Sequence, residues 1–284
     1  MMSTVYEIVT ENIIKKLEEG TIPWRKPWVG EAVALRWKEE EPYRGINQFL
    51  LPSGEYATYK QIKEAGGRIK KGEGKNYSIA VFWKWNKKKG KKDEENEEDT
   101  NPSSRPLLRY YRVYEINTQC EGLESKRVNE SFEHDPVAEA EKLIEDFMNK
   151  PDMTYNPGSA FYLPSMDVVN VPPMEHFPNV DEFYATCFHE LVHSTGHKSR
   201  LNRPGIVKQA NFGDEVYSKE ELVAELGASM LSAIAGVDNS TFENSASYLK
   251  GWLGALKGAS RLIVQASAQA QKAVDYIRGI KYEN

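Results

Sequence analysis

Apolar residues recur at helical spacing at the start of the chain, and this pattern predicts a first helix from about residue 4 to residue 17. The positions that would share its buried face are Val5, Ile8, Val9, Ile13 and Leu17. Gly20 follows closely, and a glycine just beyond the last periodic residue commonly ends a helix. The next segment, TIPWRKPW, holds two prolines and is predicted to be loop or extended chain.

Strand patterns dominate the next part of the sequence. YSIAVFWKW at 77–85 and LLRYYRVYEI at 107–116 mix β-branched and aromatic residues, and we expect them to pair as strands. Between them, residues 86–105 are charged and of low complexity, so they are predicted to be a flexible hairpin tip or a disordered loop. These patterns indicate a small mixed α/β domain.

Helical patterns dominate after a charged connector. Short strands around FYLPSMDVVNVP and a loop over about 198–216 are the expected exceptions. Ser218 and Glu221 form the S-x-x-E pattern of a capping box at the start of one helix. The predicted helices are 136–148, the segment from 180 that carries HELVH, 218–236, and 244–281 with a break near Gly258. The predicted fold class is therefore α+β, with a mixed α/β domain over 1–128 and a mainly helical domain over 129–284.

Charge is distributed unevenly between these two parts. Residues 1–128 carry 24 Lys and Arg against 20 Asp and Glu, and six of those acids lie in the run at 93–99. Residues 129–284 carry 13 basic against 22 acidic residues. A basic half joined to an acidic half predicts two separate tasks, although a chance asymmetry is the alternative.

Composition excludes several classes of protein. With 40% hydrophobic and 28% charged residues, the chain can build ordinary cores and is neither collagen-like nor intrinsically disordered. It has no apolar run of the roughly 18 residues needed to span a membrane, and no secretory signal pattern. The cysteines, Cys120 and Cys187, do not make a disulfide framework, so a reduced cytoplasmic location is expected.

The sequence HELVHSTGH at 189–197 is the main candidate for chemistry. His189 and His193 are four residues apart, which places both imidazoles on one face of a helix, close enough to share a metal ion. Glu190 is not a ligand in this pattern and is the candidate catalytic acid/base, able to take a proton from bound water. The alternative is a histidine pair with a purely structural role.

A third metal ligand is needed, and the sequence offers more than one. His197 lies two helical turns beyond His189, roughly 12 Å along the axis, and could return only because Gly196 ends the helix. The EELVAE segment at 220–225 is similar to the second ligand helix of thermolysin-like zincins. That similarity favours Glu221 as the ligand over His197 or Glu220, with Glu225 holding the outer nitrogen of a ligand histidine.

The acids of this segment can also be read as a solvated first turn of a helix, which fits Glu220 better than Glu225. Two imidazoles, one carboxylate and an open position form a catalytic metal site rather than a closed structural one. Zinc is the expected ion, with Mn²⁺ or another divalent ion as the alternative.

The first domain combines aromatic and basic residues in a pattern suited to single-stranded nucleic acid. Five of the six tryptophans lie in residues 1–128. Aromatic faces can stack on bases while Lys and Arg follow the phosphates, but core aromatics and surface lysines would give the same composition. The candidate DNA-binding residues are Trp24, Arg25, Lys26, Trp28, Arg44, Arg68, Lys70, Lys71 and Lys75.

The chain as a whole resembles the ArdC-type antirestriction family of plasmids, phages and other mobile elements. The resemblance is carried in the first half by TIPWRKPW, YRGINQFLL, YATYKQIKEAGGRIKKGEG and VYEINTQCEGL. In the second half it is carried by HELVHSTGHKSRLNR, EELVAELGASML and the segment from SYLKGW to AVDYI. These blocks span nearly the whole chain, and the charged insert at 86–105 is the main departure.

The resemblance implies a single-stranded-DNA-binding domain over 1–128 and a zincin-like metallopeptidase domain over 129–284. It implies protection of incoming DNA from host restriction, with a host restriction or defence protein as the candidate peptidase substrate. His189, His193 and Glu221 would bind the metal, Glu190 would be the acid/base, and His197 and Arg200 would lie at the site edge. The alternative function is a DNA-binding protector or decoy whose metal site is structural or vestigial.

Overall fold

A computed structural model of the chain describes residues 4–25, 33–84, 106–127, 135–207, 215–238 and 246–280. The predicted insert at 86–105 lies entirely outside them. The helices of the described part are α1 (Val5–Glu18), α2 (Asn47–Leu50), α3 (Tyr59–Glu64), α4 (Ile116–Gln119), α5 (Pro136–Glu145), α6 (Val180–Ser194), α7 (Pro204–Val207), α8 (Glu215–Ala235), α9 (Ala246–Gly258) and α10 (Leu262–Ile277).

Ten strands fall into three sheets in the described part of the chain. They are β1 (Ala34–Arg36), β2 (Glu41–Pro42), β3 (Gly54–Thr58), β4 (Arg68–Ile69), β5 (Ser78–Lys84), β6 (Leu107–Glu115), β7 (Cys120–Glu121), β8 (Asp152–Thr154), β9 (Phe161–Leu163) and β10 (Val168–Asn170). The orders are β2-β1-β3-β6-β5, β8-β10-β9 and β4-β7.

The five-stranded sheet is the centre of the first half. The predicted strand pair appears as β5 and β6, which run antiparallel from Ser78 opposite Val113 to Lys84 opposite Leu107. β1 pairs parallel with β3 and antiparallel with β2. The sheet is therefore mixed, as the alternation of short strands and helices in the sequence indicates.

The first helix forms as its apolar spacing predicts. Thr4 and Glu7 make a reciprocal capping box that satisfies backbone N–H groups at its start. Val9, Ile13 and Leu17 are buried on one face. That face packs against α9 and α10, both in the second half of the chain.

Two helices of the second half, α6 and α8, pack closely side by side. Gly227 on α8 permits this approach, because a Cβ atom there would lie 2.8 Å from the side chain of Val192 on α6. α10 also packs against α8. Both metal-site helices are thereby held within the core.

One continuous hydrophobic cluster joins the two halves. It contains Leu17 and Phe49 from the first half together with Phe188, Leu222 and Ile263 from the second. Polar contacts cross the same boundary, including a hydrogen bond from the Thr10 hydroxyl to the Ser260 carbonyl, 2.7 Å. The sheet half and the helical half therefore share a core.

The α+β fold class is confirmed, with helices prevailing after residue 135. The predicted capping box at Ser218 is wrong, because α8 begins at Glu215 and Ser218 is an interior residue of the helix. The predicted loop before it contains the short helix α7. Within the described residues, no helix has the length and apolarity to cross a membrane.

Candidate metal centre

The HExxH segment lies on α6, as its apolar context predicts. Asn179 caps the helix by accepting a hydrogen bond from the Glu182 N–H, 2.9 Å. His189 and His193 then face the same side one turn apart, with their Nε2 atoms 3.1 Å from each other. The helical spacing alone is enough to bring the two imidazoles together.

Glu221 on α8 completes a set of three converging donors. One carboxylate oxygen lies 3.7 Å from His189 Nε2 and the other lies 3.6 Å from His193 Nε2. A tetrahedral ion with ligand bonds of 2.0–2.1 Å separates its ligands by about 3.4 Å. The three distances match that spacing, so these residues can hold one divalent ion with a position left open.

Electrostatics around His189 also favour a cation. Burial lowers the pKa of this imidazole, but the nearby Glu221 carboxylate and the charges of Glu225 and Glu190 outweigh burial and raise the pKa to about 9. The carboxylates thus place strong negative potential at His189. The same negative potential that stabilises a proton on His189 would stabilise a bound divalent cation.

Glu220, the neighbour of Glu221, contacts the opposite side of His193. Its Oε1 lies 3.5 Å from His193 Nδ1, slightly beyond an ordinary hydrogen bond. Glu220 is only 5% exposed, so it is not a solvated acid of a first helical turn. It lies at the outer nitrogen of His193, a position that the sequence-based predictions assigned to neither Glu220 nor Arg203.

Arg203 is the partner that allows Glu220 to be buried as a carboxylate. The guanidinium of Arg203 donates to both carboxylate oxygens, at 2.6–3.2 Å, and is itself 4% exposed. Burial would raise the pKa of Glu220, but its contacts with His193 and Arg203 outweigh burial and lower the pKa. Arg203 was not among the predicted site residues; the available signal was the pair of adjacent acids at 220–221, which face the two histidines.

Arg203 also joins the end of α6 to α8. It donates to the Val192 carbonyl at 2.7 Å and to the Thr195 hydroxyl at 2.6 Å. Gly205 lets this loop approach α8, because a Cβ atom there would lie 2.7 Å from the Cβ of Glu220. The loop after the HExxH helix is therefore held in contact with the residue behind His193.

The remaining acids of the site lie around His189. Glu190 is 8% exposed, and its charge acts on His189. Glu225 is also near His189 and forms an ion pair with Arg25, at 3.6 Å. Glu225 thus lies near one of the two histidines, and its predicted contact with an outer histidine nitrogen stays a prediction.

The two predicted edge residues take separate positions. His197 is not part of the converging set; its Nδ1 lies 2.7 Å from the Ser199 hydroxyl. Arg200 makes a bidentate ion pair with Asp167 through two hydrogen bonds of 2.8 Å each. It also donates a hydrogen bond to the Ser194 carbonyl at the end of α6. Arg200 therefore anchors the C-terminus of the HExxH helix.

Several predicted DNA-binding residues make contacts inside the protein. Trp24 is fully buried, and its Nε1 donates to the Tyr248 hydroxyl. The Arg25 guanidinium lies over the Tyr248 ring, and Arg44 pairs with Asp275. Trp24 therefore has no face open to a base, while Lys26 and Trp28 lie outside the described residues.

The remaining basic candidates lie near β4. Arg68 pairs with Glu121, and Lys70 donates to the carbonyls of Asn117 and Thr118. Lys71 and Lys75 are exposed.

A group of residues that the sequence patterns did not single out lies on one face of β5 and β6; three of them are exposed and Tyr111 is half-buried. Phe82 is 38% exposed, and its ring centroid is 5.2 Å from that of Tyr111. Arg109 is directly opposite Phe82, and Lys84 is two residues further along β5 on the same face. We call Phe82, Tyr111, Arg109 and Lys84 the sheet patch. The sequence feature that marks this patch is the mixture of aromatic and basic residues in both strands.

Two family models match the chain. The one described as the N-terminal domain of the anti-restriction factor ArdC matches residues 3–114. The one described as a zincin-like metallopeptidase matches residues 138–269, which include all three converging donors.

Solved structures match over almost the full length. The crystal structure of antirestriction protein ArdC from plasmid R388 in its Mn(II)-bound form has a TM-score of 0.73 and 34% identity, over 98% of each chain. The metal-free form has a TM-score of 0.71 and 33% identity, over 97% of each chain.

Longer proteins also contain a matching region. Two Escherichia coli proteins named DNA primase TraC are each 32% identical over 96% of this chain. The match covers 20% of one TraC protein and 27% of the other, so the chain spans about a fifth to a quarter of these relatives.

Proposed function

Since the chain belongs to the ArdC antirestriction family, we propose that it combines binding of single-stranded DNA with metal-dependent hydrolysis of peptide bonds. The convergence of His189, His193 and Glu221 beside Glu190 is the observation that carries the hydrolytic half. Three protein donors and an open position are typical of a catalytic site.

The ion is proposed to be Zn²⁺ or Mn²⁺. Two imidazole nitrogens and a carboxylate suit both, and a similar protein was crystallised with Mn(II). When bound, such an ion would polarise a peptide carbonyl and lower the pKa of water. The protein residues supply the ligand positions and the proton transfers.

Glu190 is the proposed acid/base. It follows a proposed ligand directly in sequence and is mostly buried beside His189. Its proposed task is to accept a proton from the attacking water and to deliver it to the leaving amine. Glu220 and Arg203 would keep His193 oriented with Nε2 toward the ion.

The test is Glu190→Gln, with Glu11→Gln at an exposed position of α1 as a matched control. Metal content and cleavage of a quenched fluorescent peptide library are measured for both and for the unmodified protein. Glu190→Gln should keep its metal and lose hydrolysis, whereas the control should keep both. Cleavage by Glu190→Gln at the unmodified rate would refute the acid/base role. If the unmodified protein and both variants bind metal but none of them cleaves a peptide, the alternative function of a DNA-binding protector is favoured.

The sheet patch is the proposed surface for single-stranded DNA. Phe82 and Tyr111 offer neighbouring aromatic rings, and Arg109 and Lys84 place positive charge beside them. Aromatic faces that stack bases, flanked by cations that contact phosphates, are typical of sequence-tolerant single-strand binding. The match of residues 3–114 to the ArdC N-terminal domain supports this assignment.

The DNA test uses the full chain, a fluorescent oligothymidine and a duplex competitor. Phe82→Ala should cost roughly 1–3 kcal/mol of binding free energy with little change in salt dependence. Arg109→Ala should weaken binding and reduce the log–log salt slope by about 0.7. Lys142→Ala, at an exposed position of α5, is the control and should leave DNA binding unchanged. Preference for the duplex, or unchanged binding in both patch variants, would refute the assignment.

A further inference from the structure

A groove of about 570 Å³ lies between α5, the first two turns of α6 and the segments 150–155 and 173–175. Phe183 and Tyr184 are the α6 residues that line it. At about 100° per residue, they lie roughly 120° and 140° around that helix from His189. The groove therefore opens on a different side of α6 from this metal ligand, and the proposed hydrolytic step does not use it.

The floor of the groove is aromatic and its walls are partly open to solvent. The ring of Phe183 packs against those of Tyr184 and Tyr155, with centroids 5.1 Å and 6.1 Å apart. Tyr155 is 50% exposed and Met174 is 41% exposed. Apolar surface that is exposed and gathered in one concave site is typical of a place that another molecule covers.

Three carboxylates line the same groove. Glu141 accepts a hydrogen bond from the Tyr184 hydroxyl, 3.1 Å. Glu145 and Glu175 have no hydrogen-bond or ion-pair partner among the described residues. Lys150 also lines the groove, so three negative charges against one positive charge leave the lining with a net charge of -2. A cationic ligand would therefore be attracted to this apolar floor.

The acids on α5 are placed where they oppose the stability of the helix. Glu141 and Glu145 are four residues apart, a spacing at which like charges repel on a helix surface. Glu145 is also the last residue of α5, where the helix dipole leaves a partial negative charge. A bound cation would relieve both repulsions. Local choices that work against the fold and cluster at one groove indicate a binding role.

We propose that this groove docks an extended segment of a partner protein in which arginine residues flank a bulky apolar residue. The apolar side chain would cover Phe183 and Met174. A guanidinium would stack on the exposed ring of Tyr155 and pair with Glu145 or Glu175. The carboxylates would repel phosphates, so the groove is not a nucleic-acid surface. The proposal does not rest on the hydrolytic function.

The experiment titrates the full-length protein with fluorescein-labelled nonapeptides of Gly and Ser that differ at the three central positions. The four centres are Arg-Leu-Arg, Lys-Leu-Lys, Arg-Gly-Arg and Glu-Leu-Glu. Arg-Leu-Arg should bind most tightly, and Arg-Gly-Arg should bind roughly 10- to 100-fold more weakly because it buries no apolar side chain. Glu-Leu-Glu should not bind. Affinities should be the same with and without Mn²⁺, and mass spectrometry checks that the peptides stay intact.

A charge-reversal variant tests the carboxylates. Glu145→Lys combined with Glu175→Lys should weaken the binding of Arg-Leu-Arg roughly 10-fold or more, because two attractive pairs become repulsive. Glu11→Lys combined with Glu124→Lys is the matched control, since it makes the same change in net charge at exposed positions that do not line the groove. The control should bind like the unmodified protein. Circular dichroism checks that both variants are folded.

A second pair of variants tests the apolar wall. Met174→Ala should weaken the binding of Arg-Leu-Arg several-fold and leave Arg-Gly-Arg unchanged, because only the leucine contacts that wall. Met166→Ala is the control, since Met166 is 69% exposed and does not line the groove. It should bind both peptides like the unmodified protein.

Four results would overturn the proposal: no binding of Arg-Leu-Arg, equal binding of Glu-Leu-Glu, binding that requires Mn²⁺, or unchanged binding in the Glu145→Lys and Glu175→Lys variant. Equal affinity for Lys-Leu-Lys would overturn the stacking of arginine on Tyr155. Sedimentation tests a different occupant. A dimer that is lost in the groove variant and kept in its control would assign the groove to a second copy of this chain and overturn the choice of partner.

Discussion

Glu220→Gln removes one charge from the buried pair behind His193 and tests whether that pair supports the metal site. The change keeps the side-chain shape but leaves Arg203, 4% exposed, without its anion. Breaking a buried ion pair by removing one partner costs about 3–5 kcal/mol. This is a large part of the 5–15 kcal/mol that typically stabilises a folded protein. Urea denaturation of the metal-free protein should show a loss of that size.

The double variant Arg203→Met and Glu220→Leu separates folding from metal binding. Replacing both charges with apolar side chains of similar size is often close to neutral for stability. The α6 carbonyls would keep other partners, because Val192 O also accepts from Thr195 N and His193 O accepts from Gly196 N. The double variant should therefore unfold near the urea midpoint of the unmodified protein.

Metal affinity should fall in both variants. The outer nitrogen of His193 would lose its carboxylate, and loss of such a contact typically weakens metal binding 10- to 100-fold. Isothermal titration with Mn²⁺ or Zn²⁺ measures the change. Glu18→Gln, which breaks the exposed pair with Lys257, is the control and should cost less than about 1 kcal/mol with metal affinity unchanged. Unchanged metal affinity in a folded double variant would refute the reasoning.

Glu221→Ala should lower metal content far more than His197→Ala does, measured by elemental analysis of folded protein; the reverse order would reassign the third ligand. Trp24→Ala should cost about 3–5 kcal/mol in urea denaturation because the indole is core, and an unchanged midpoint would contradict its burial. Asp167→Asn should destabilise the protein by roughly 1–3 kcal/mol at pH 7. Burial raises the pKa of Asp167, but its bonds to Arg200 and Tyr162 outweigh burial and lower the pKa, so the carboxylate stabilises the fold above its ordinary pKa of about 3.9. The gap between variant and unmodified protein should close as pH falls below that value, and a gap that persists in acid would refute this source of stability.

Sequence patterns predicted the elements that depend on local spacing and composition. The α1 spacing, the β5–β6 pair and the helix that carries HExxH are confirmed. His189 and His193 meet because helical spacing is a local property. Glu221 was selected by similarity to other zincins, since periodicity cannot say which residue of a second helix will face the first.

Contacts made by loops and between distant segments could not be predicted in this way. Arg203 reaches Glu220 only through the course of the loop after α6 and the close approach at Gly205. Trp24 and Arg25 have the composition of a nucleic-acid surface, yet tertiary packing places them against Tyr248 and Glu225. Composition describes what a side chain can do, and the fold determines what it contacts.

The shared core has a consequence for how the protein can be divided or exchanged. Residues 1–128 alone would expose the apolar face of α1 that packs on α9 and α10, so a truncated first half would tend to aggregate. A chimera that joined one member's sheet half to another's helical half would need compatible residues at Leu17, Phe49 and Ile263. The matched region in the TraC proteins, 96% of this chain within a far longer one, is consistent with a cassette that is transplanted whole. In genetic terms the heritable unit is the pair of halves, and recombination within it would be selected against.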